Sequence, residues 1–361
     1  MNEPQKIRLQ LSPEAEKYVR RDAPVEARRL AARGALPLPP TELATVLFAL
    51  LHDPDEQVKA RAHESLLGLP AKVRQSVLSG PVHPALLSWF ARALKDDAEA
   101  VEQIALNPAT DDATFAFLAS LPHRRVVEIA ANNQLRMLRH PPIVDALGSN
   151  PLTGRATIDR ILHFMGLERP EAEVPEDPQA EPGSPGEISD DAAVAALRAL
   201  LGDDTGEFSR ELLEDPDQEL DEEAQGTLFG LLQKMNVMQR IKLARLGNKE
   251  ARGLLVRDRN KIVASAAIRS PKITELEVES YARARNVCDD VLRIIAANRD
   301  WTRSYGVKLA LATNPKVPIP SAMKFLNFLQ ERDLRNIMKS KDVPAPIATH
   351  ARRILQKKGK H

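Results

Sequence analysis

The sequence predicts an all-α fold in which helical-hairpin repeats form an α-solenoid in two blocks joined by an acidic, partly disordered linker. Three observations indicate this fold: aromatic residues are scarce, prolines outnumber glycines, and a short motif recurs with a period in the low forties. Together they favour many short helices with tight connections over β-sheet.

The composition supports helix–helix packing. Hydrophobic residues make up 43% of the 361 residues, which suffices for a core, but aromatic residues make up only 4%. Sheet cores draw on aromatic and β-branched side chains, whereas Leu and Ala suit close contacts between helices. The 27 prolines beside 16 glycines indicate many helix starts, because Pro is tolerated in the first helical turn but not inside a sheet.

The repeat motif is an Asn-Pro or Ser-Pro dipeptide, followed by the tetrad IAAN and then by another Asn-Pro. Asn107 and Asn150 are 43 residues apart, and Ser270 and Asn314 are 44 residues apart. Such a period is typical of two-helix repeats. We interpret the Asn or Ser before Pro as a helix start, because its side-chain oxygen can cap free N–H groups and Pro has none to offer.

The predicted helices are amphipathic and need neighbours. Val291, Ile294 and Ile295 have the spacing of a single apolar stripe. One hairpin cannot bury such a stripe, whereas stacked hairpins bury it between them. The pattern therefore predicts a stack of repeats.

One stretch resembles a HEAT repeat. In His52–Pro70 an Asp-Pro turn is followed by Val58 and by the small residues Ala60 and Ala62, where helices would touch. The Asn-Pro and Ser-Pro units are similar to divergent HEAT-like, armadillo-like or leucine-rich-repeat-variant hairpins over most of 40–165 and 236–357. The resemblance implies a scaffold, an adaptor or a nucleic-acid binder, and it supplies no catalytic residue.

Charge divides the chain into three predicted regions. The N-terminal helical-repeat block 1–170 has 21 Lys and Arg against 20 Asp and Glu. The acidic linker 171–225 has 2 against 19, and the basic C-terminal helical-repeat block 226–361 has 28 against 11. This separation predicts an anionic partner for the last block.

The linker has two parts. Residues 171–190 are rich in Pro, Glu and Asp and are predicted to be disordered, whereas Ala192–Gly202 is predicted to form a short helix. Because the linker is tethered beside a basic block, we expect residues 190–225 to bind the basic face and to compete with anionic partners.

A row of basic residues is the main candidate for a binding surface. Alignment of SPKIT with NPKVP places Arg259 opposite Arg303 and Arg257 opposite Trp301, so equivalent positions would form one ridge near Tyr305. Such a ridge would hold phosphates or an acidic peptide; the alternative is an ordinary solvated face of Lys and Arg. The predicted partner-binding residues are Arg252, Arg257, Arg259, Lys261, Arg299, Trp301, Arg303 and Lys308.

The two IAAN tetrads leave two interpretations open. Asn132 and Asn298 would bind a peptide backbone in a groove, or they would serve as caps at helix ends. The cap is the favoured interpretation, in the left-handed C-cap conformation or as the cap of the next helix.

No catalytic or metal-binding motif is present. His63-Glu64 begins like a zinc-protease motif, but Leu67 occupies the place of its second histidine. Cys288 lies beside Asp289 and Asp290, which disfavour a thiolate. We therefore expect no enzyme, no cofactor and no metal.

The weakest alternative is a base-excision glycosylase of the helical-repeat type. It would need an inward carboxylate and an aromatic residue near the basic groove. Asp258, Asp300 and Trp301 are the nearby candidates, and their pattern is not specific.

The cysteine count and the lack of long apolar runs predict the cellular compartment of the protein. The sequence contains one cysteine, no signal-peptide-like apolar run and no stretch of about 18 apolar residues, which together predict a reduced, cytoplasmic setting without a membrane span. The expected function is protein–protein interaction or scaffolding with an acidic or extended partner. The alternative is nucleic-acid binding regulated by the acidic linker.

Overall fold

The computed structural model describes residues 9–20, 22–165, 212, 222–340 and 342–358. All regular secondary structure in these residues is helical, which confirms the predicted all-α class. No helix among them is both long and apolar enough to cross a membrane. The predictions for residues 171–221 fall outside the described part of the chain, apart from Leu212.

By its contacts the chain divides into two compact units, Met1–Leu152 and Thr153–His361. The first unit contains eleven helices among the described residues. They are α1 (Pro13–Val19), α2 (Val25–Ala32), α3 (Pro40–Leu50), α4 (Glu56–Leu67), α5 (Ala71–Ser79), α6 (Pro84–Ala93), α7 (Ala98–Leu106), α8 (Asp112–Ser120), α9 (Arg124–Asn132), α10 (Gln134–Arg139) and α11 (Pro142–Ser149).

The second unit contains another eleven α-helices and a short 3₁₀ helix, Trp301–Arg303, among the described residues. The α-helices are α12 (Arg155–Phe164), α13 (Glu222–Lys234), α14 (Val237–Leu246), α15 (Lys249–Leu255), α16 (Lys261–Ile268), α17 (Glu275–Arg283), α18 (Asp289–Ala297), α19 (Tyr305–Thr313), α20 (Ile319–Leu326), α21 (Glu331–Lys339) and α22 (Ala345–Lys358).

Helices pack both on their neighbour in sequence and on the helix two places further on. In the first unit α1, α3, α5, α7 and α9 form such a series, and in the second unit α14, α16 and α18 form another. Helix α12 packs on α16 and so belongs to the second unit, whereas the sequence analysis placed the end of the first block at residue 170. Helices of six to fourteen residues bury their apolar faces through this alternation.

The interior of the second unit is built from small and aliphatic side chains. In α16 every residue from Ile262 to Ile268 is buried. In α18 the predicted stripe Val291, Ile294 and Ile295 is buried together with Leu292. Alanine and serine in α16 allow close approach of its neighbours, and this explains why so few aromatic residues are needed.

The Asn-Pro asparagines tie stacked helices together. Asn314 follows α19, and its Nδ2 donates to the carbonyl oxygens of Ala282 and Ala284, at 2.8 and 3.1 Å, at the end of α17. Its Oδ1 accepts from the N–H of Lys316 at 3.0 Å. Asn107 joins the ends of α7 and α5 in the same way, and Asn150 joins those of α11 and α8. We call these three residues the asparagine clamps.

The prediction that Asn or Ser before Pro starts a helix was therefore wrong. The clamps follow the last residue of a helix, and α20 begins only at Ile319, five residues after Asn314. Sequence reasoning missed that the asparagine amide donates hydrogen bonds to two carbonyl groups at the end of an earlier helix. These carbonyl groups have no hydrogen-bond partner within that helix. Ser270 links two helices in a similar way through one hydrogen bond, in which its Oγ donates to the Arg245 carbonyl at 2.9 Å.

The IAAN asparagines do not adopt the left-handed backbone conformation, because none of the non-glycine residues in the described part of the chain has a positive φ. Asn298 follows α18, and its Oδ1 accepts from the N–H groups of Asp300 and Trp301 at 2.9 and 3.2 Å, so it caps the next turn. Asn132 is the exposed last residue of α9, and its neighbour Asn133 caps α10.

The HEAT-like stretch is partly as expected. Asp55 caps α4, and Val58 and Ala62 are buried. Ala60 is exposed, because residues two apart on a helix point to different sides. Gly247 ends α14, and a Cβ atom there would lie 2.5 Å from the carbonyl oxygen of Leu243, so the turn requires glycine.

Candidate partner-binding site

The surface of the second unit is strongly cationic. Among the described residues of 226–361, 18 Lys and Arg side chains are exposed, against five Asp and Glu side chains. The exposed acids are Glu275, Asp289, Asp300, Glu331 and Asp342. The sequence count of 28 against 11 therefore understates the bias of the surface.

This bias arises because six of the 11 Asp and Glu residues of 226–361 are not exposed, and three of these six pair with partly or fully buried cations. Asp258 accepts a hydrogen bond from Arg240 at 2.6 Å, and Asp290 lies 4.0 Å from the Lys261 Nζ. Glu277 is paired with the buried Arg252. These acidic side chains lie in the interior, whereas most Lys and Arg side chains lie at the surface. The resulting positive surface charge strengthens any attraction to an anionic partner.

Arg252, one of the predicted binding residues, is not on the surface. It is 2% exposed. Its Nε and Nη2 donate to the two oxygens of Glu277, at 3.0 and 3.1 Å, and its Nη1 donates to the carbonyl of Gly247 at 2.8 Å. The guanidinium joins α15 to α17 and has no exposed group to offer, so the prediction for Arg252 was wrong.

The pair is part of a buried network. Thr274 caps α17 and bonds Glu277 through its N–H and its hydroxyl, each at 2.9 Å. Burial raises the pKa of Glu277, but the hydrogen bonds from Arg252 and Thr274 lower it more, and the pKa lies below its ordinary value. Burial, followed by the charge of Glu277, raises the pKa of Tyr281, whose hydroxyl donates to Glu277. The network is structural.

The remaining predicted residues lie at two different edges of the helix stack. Helices α15, α17 and α19 end at one edge, because Arg257 bonds Asn286 at 3.2 Å and Asn314 bonds the end of α17. Helices α16 and α18 begin there, with Lys261 facing Asp290. We call this edge, formed by the loops 256–260, 284–288 and 314–318, the Arg257 edge.

The opposite edge is formed by the loops 269–274, 298–304 and 327–330, and we call it the Trp301 edge. Helices α14 and α16 end there, since Ser270 bonds the Arg245 carbonyl. Helices α19 and α21 begin there, since the Tyr305 hydroxyl donates to Asp333 and accepts from the Gln330 N–H at 3.1 Å. Helices α16 and α18, of eight and nine residues, separate the two edges by about 12–14 Å.

The single ridge that the sequence alignment indicated is therefore not formed. Arg257, Arg259 and Lys261 lie at the Arg257 edge, whereas Arg299, Trp301, Arg303 and Lys308 lie at the Trp301 edge. The alignment set SPKIT against NPKVP, but Ser270 follows a helix of one layer and Asn314 follows a helix of the other, so residues 44 positions apart fall at opposite ends of the stack.

The Trp301 edge gathers cations around aromatic rings. Asn298 fixes the 3₁₀ helix Trp301–Arg303 by accepting from two N–H groups. The Arg299 side chain is exposed and has no ion-pair or hydrogen-bond partner among the described residues, and Arg303 is paired with Asp300 at 3.4 Å, where both side chains are about four-fifths exposed. Trp301 is half-buried.

Lys308 connects this loop to the next one. Its Nζ donates to the carbonyl of Arg303 at 3.0 Å and lies 5.4 Å from the ring centroid of Phe328, which is 64% exposed. Tyr305 is 36% exposed, and burial together with its bond to Asp333 raises the pKa of its hydroxyl. We call the set Arg299, Trp301, Arg303, Tyr305, Lys308 and Phe328 the aromatic loop site.

Sequence reasoning missed Phe328 and the loop residues Arg285, Asn286 and Lys316. The signal for Phe328 was the stretch Asn-Phe-Leu-Gln, in which an apolar residue continues past the end of a helix. The signal for the others was their spacing from Arg257, of about one hairpin for Arg285 and Asn286 and about two hairpins for Lys316. Both signals need the positions of the loops, which periodicity did not give.

The aromatic loop site presents cationic and apolar groups, and these groups limit the kind of ligand it suits. Guanidinium groups accept carboxylates or phosphates, and exposed rings accept apolar groups. No group of three or more His, Cys, Asp or Glu in the described residues is arranged to hold a metal ion. At Cys288 burial raises the pKa of the thiol and the charge of Asp290 raises it further, so the direction expected from its neighbours holds but burial is the larger cause.

The fold defines the class of this protein: it is an all-helical protein whose helices pack sequentially and pairwise, as in a helical repeat. Comparison of the chain with protein-family models, curated proteins and solved structures finds no match.

Proposed function

We propose that this protein is a HEAT- or armadillo-like interaction module that binds an acidic segment of another protein at the aromatic loop site. The observation that carries the proposal is the exposure of Phe328 beside Lys308, which bonds the loop that contains the exposed Arg299 and Arg303, in a unit with few exposed acids. Exposed aromatic and arginine side chains are enriched among the residues that dominate binding energy.

The site fits a particular kind of segment. Carboxylates would pair with Arg299 and Arg303. The Arg299 side chain makes no hydrogen bond or ion pair with a described residue, and that of Arg303 makes only an exposed ion pair of small energy. An apolar side chain between those carboxylates would cover Phe328. The expected partner segment therefore has acidic residues on both sides of a Leu, Ile or Phe.

A peptide-display selection on the full chain tests the proposal without a known partner. We expect enriched peptides to combine acidic residues with a central apolar residue. They should bind the variant R299E/R303E/F328A at least tenfold more weakly, because it loses both the ion pairs and the ring contact. The matched control is Arg92→Glu, since the Arg92 side chain is exposed in the first unit and makes no hydrogen bond or ion pair with another described residue.

Nucleic-acid binding is the second candidate, because arginines beside exposed aromatic rings also suit phosphates and stacked bases. A single-stranded oligonucleotide and a selected peptide are titrated into the chain at low salt and at about 0.15 M salt. Peptide binding that survives the higher salt supports the proposal. Oligonucleotide binding that depends on Phe328, with no selected peptide, would replace it.

A further inference from the structure

The loops of the Arg257 edge present cations at successive levels of the stack. Arg257 and Arg259 lie in the first loop, Arg285 lies in the second and Lys316 lies in the third. Hydrogen bonds connect the levels: Arg257 Nε donates to Asn286 Oδ1 at 3.2 Å, and Lys316 Nζ donates to the carbonyl of Val287 at 3.1 Å. We call Arg257, Arg259, Arg285 and Lys316 the loop ridge.

The loop ridge keeps most of its donors for a ligand. Arg257 lies over the ring of Tyr281 and uses two donors, on Asn286 and on the Gly253 carbonyl, of the five that a guanidinium has. The Arg259 side chain is exposed and makes no hydrogen bond or ion pair in the described part of the chain. Lys316 uses one of its three donors.

The acids near the loop ridge compete little with a ligand. Asp258 is turned inward to Arg240 and is 13% exposed, and Asp290 is 16% exposed beside Lys261. Asp342 pairs with Arg285 at 2.9 Å, but the two side chains are 69% and 63% exposed, and such surface pairs exchange at small cost. Asp289 is exposed and makes no ion pair with a described residue, so it occupies none of the cations of the loop ridge.

The spacing of the levels selects the shape of the ligand. Packed helices lie about 8–10 Å apart, so successive loops of the ridge are separated by about that distance. A polyproline II peptide has three residues per turn and rises about 3.1 Å per residue, so every third side chain lies on one side at intervals of about 9 Å. A β-strand would turn every third side chain to the opposite face.

We infer that the loop ridge binds an extended acidic peptide of polyproline II type with Asp or Glu at every third position, one carboxylate for each level of the stack. This surface lies at the other edge from the aromatic loop site and makes the protein a two-surface binder. The inference rests on the loop contacts and holds independently of the proposed function.

Fluorescence anisotropy with two labelled peptides of identical composition tests the inference on the full chain at low salt. In one peptide of about nine residues Glu occupies every third position among Pro and Ala; in the other the same residues are ordered with the Glu residues adjacent. We expect the first to bind at least about fivefold more tightly. Equal affinities for the two peptides would overturn the inference.

Charge reversal locates the contact. Arg259→Glu and Lys316→Glu should each weaken binding of the every-third peptide by about fivefold or more, whereas Arg293→Glu, at an exposed arginine within α18, should not change it. Thermal unfolding shows whether each variant folds, and Arg259→Gln provides a milder change at the same place. Equal loss for Arg293→Glu would overturn the inference in favour of non-specific attraction.

The variant R299E/R303E/F328A separates this inference from the proposed function. It should keep its affinity for the every-third peptide, because none of its substitutions lies at the Arg257 edge. Loss of that affinity would show that the ridge is not a separate surface and would overturn the inference. Failure of the selected display peptides alone would count only against the aromatic loop site.

Discussion

Two arginine-containing regions of the second unit differ in what their side chains do. Between α15 and α17, Arg252 directs three of its nitrogens to Glu277 and Gly247 and is 2% exposed. In the loop 298–304, Arg303 has one long, exposed pair with Asp300, and Arg299 has none among the described residues. The first region holds helices together, and the second leaves its charge at the surface, where the proposed function assigns it to a partner.

The difference teaches that a positive count in a sequence does not locate a binding surface. The same residue type is structural where a carboxylate is buried with it and available where the nearby acids face solvent. Desolvation decides between the two, because a buried cation must have all its donors satisfied. The comparison can be tested by removing members of each region.

The largest expected effect is that of Arg252→Ala. It leaves the carboxylate of Glu277, which is 4% exposed, without its cation. We expect the free energy of unfolding to fall by about 3–5 kcal/mol, measured by urea denaturation. A fall of less than about 1 kcal/mol would mean that the two regions do not differ as described.

Two controls sharpen this result. Arg303→Ala should change the free energy of unfolding by less than about 0.5 kcal/mol, since Arg303 is exposed. The double variant Arg252→Met with Glu277→Leu should recover much of the lost stability, because an apolar pair of similar volume leaves no charge unpaired.

The next effect concerns the asparagine clamps. Asn314→Ala leaves the carbonyl groups of Ala282 and Ala284 without their side-chain donor. We expect a loss of about 1–3 kcal/mol in urea denaturation, against about 1 kcal/mol for the cap Asn298→Ala. The exposed Asn327 provides a matched control, and its replacement by Ala should have little effect. Equal losses at all three asparagines would contradict the clamp.

A pH titration should distinguish the interior region. The pKa of Glu277 in the folded chain lies below the ordinary value of 4.5, so its contribution to stability is present above that value and is lost as the pH falls through the lower, folded pKa. We expect the free energy of unfolding to decrease below about pH 4.5. Glu277→Gln should reduce this slope, and an unchanged slope would exclude Glu277 as its source.

Much of the fold was predictable from the sequence, because its signals are local. Scarce aromatics, frequent Pro and the stripe at Val291 and Ile294 indicated stacked short helices, and Gly247 indicated a helix end. The site was less predictable. Arg252 and Arg259 look alike in sequence, and only the position of Glu277 makes the first a buried pair.

The register of the repeats was the other source of error. Asn314 and Ser270 share a dipeptide but follow helices of different layers, so the alignment joined residues from opposite edges. A motif that marks helix ends cannot show to which layer a helix belongs. The assignment of a helix to a layer requires the long-range contacts of α17 with α19 and of α14 with α16.

The smallest expected effect is that of the acidic linker. Leu212 is 4% exposed and its carbonyl accepts from the N–H of Asn248 at 2.8 Å, so deletion through 225 would remove a packed residue. Replacement of the Asp and Glu residues of 171–204 by Asn and Gln avoids this. If the linker competes for the cations, anionic peptides should bind about two to five times more tightly at low salt; unchanged affinity would exclude competition by these acids.

Hydrogen exchange of the full chain, with and without a selected display peptide, tests the central claim most directly. The aromatic loop site predicts slower exchange at residues 298–305 and 327–330, with no change at 249–256, where Arg252 is already enclosed. Protection confined to other parts of the chain would contradict the assignment of the exposed arginines as the binding residues.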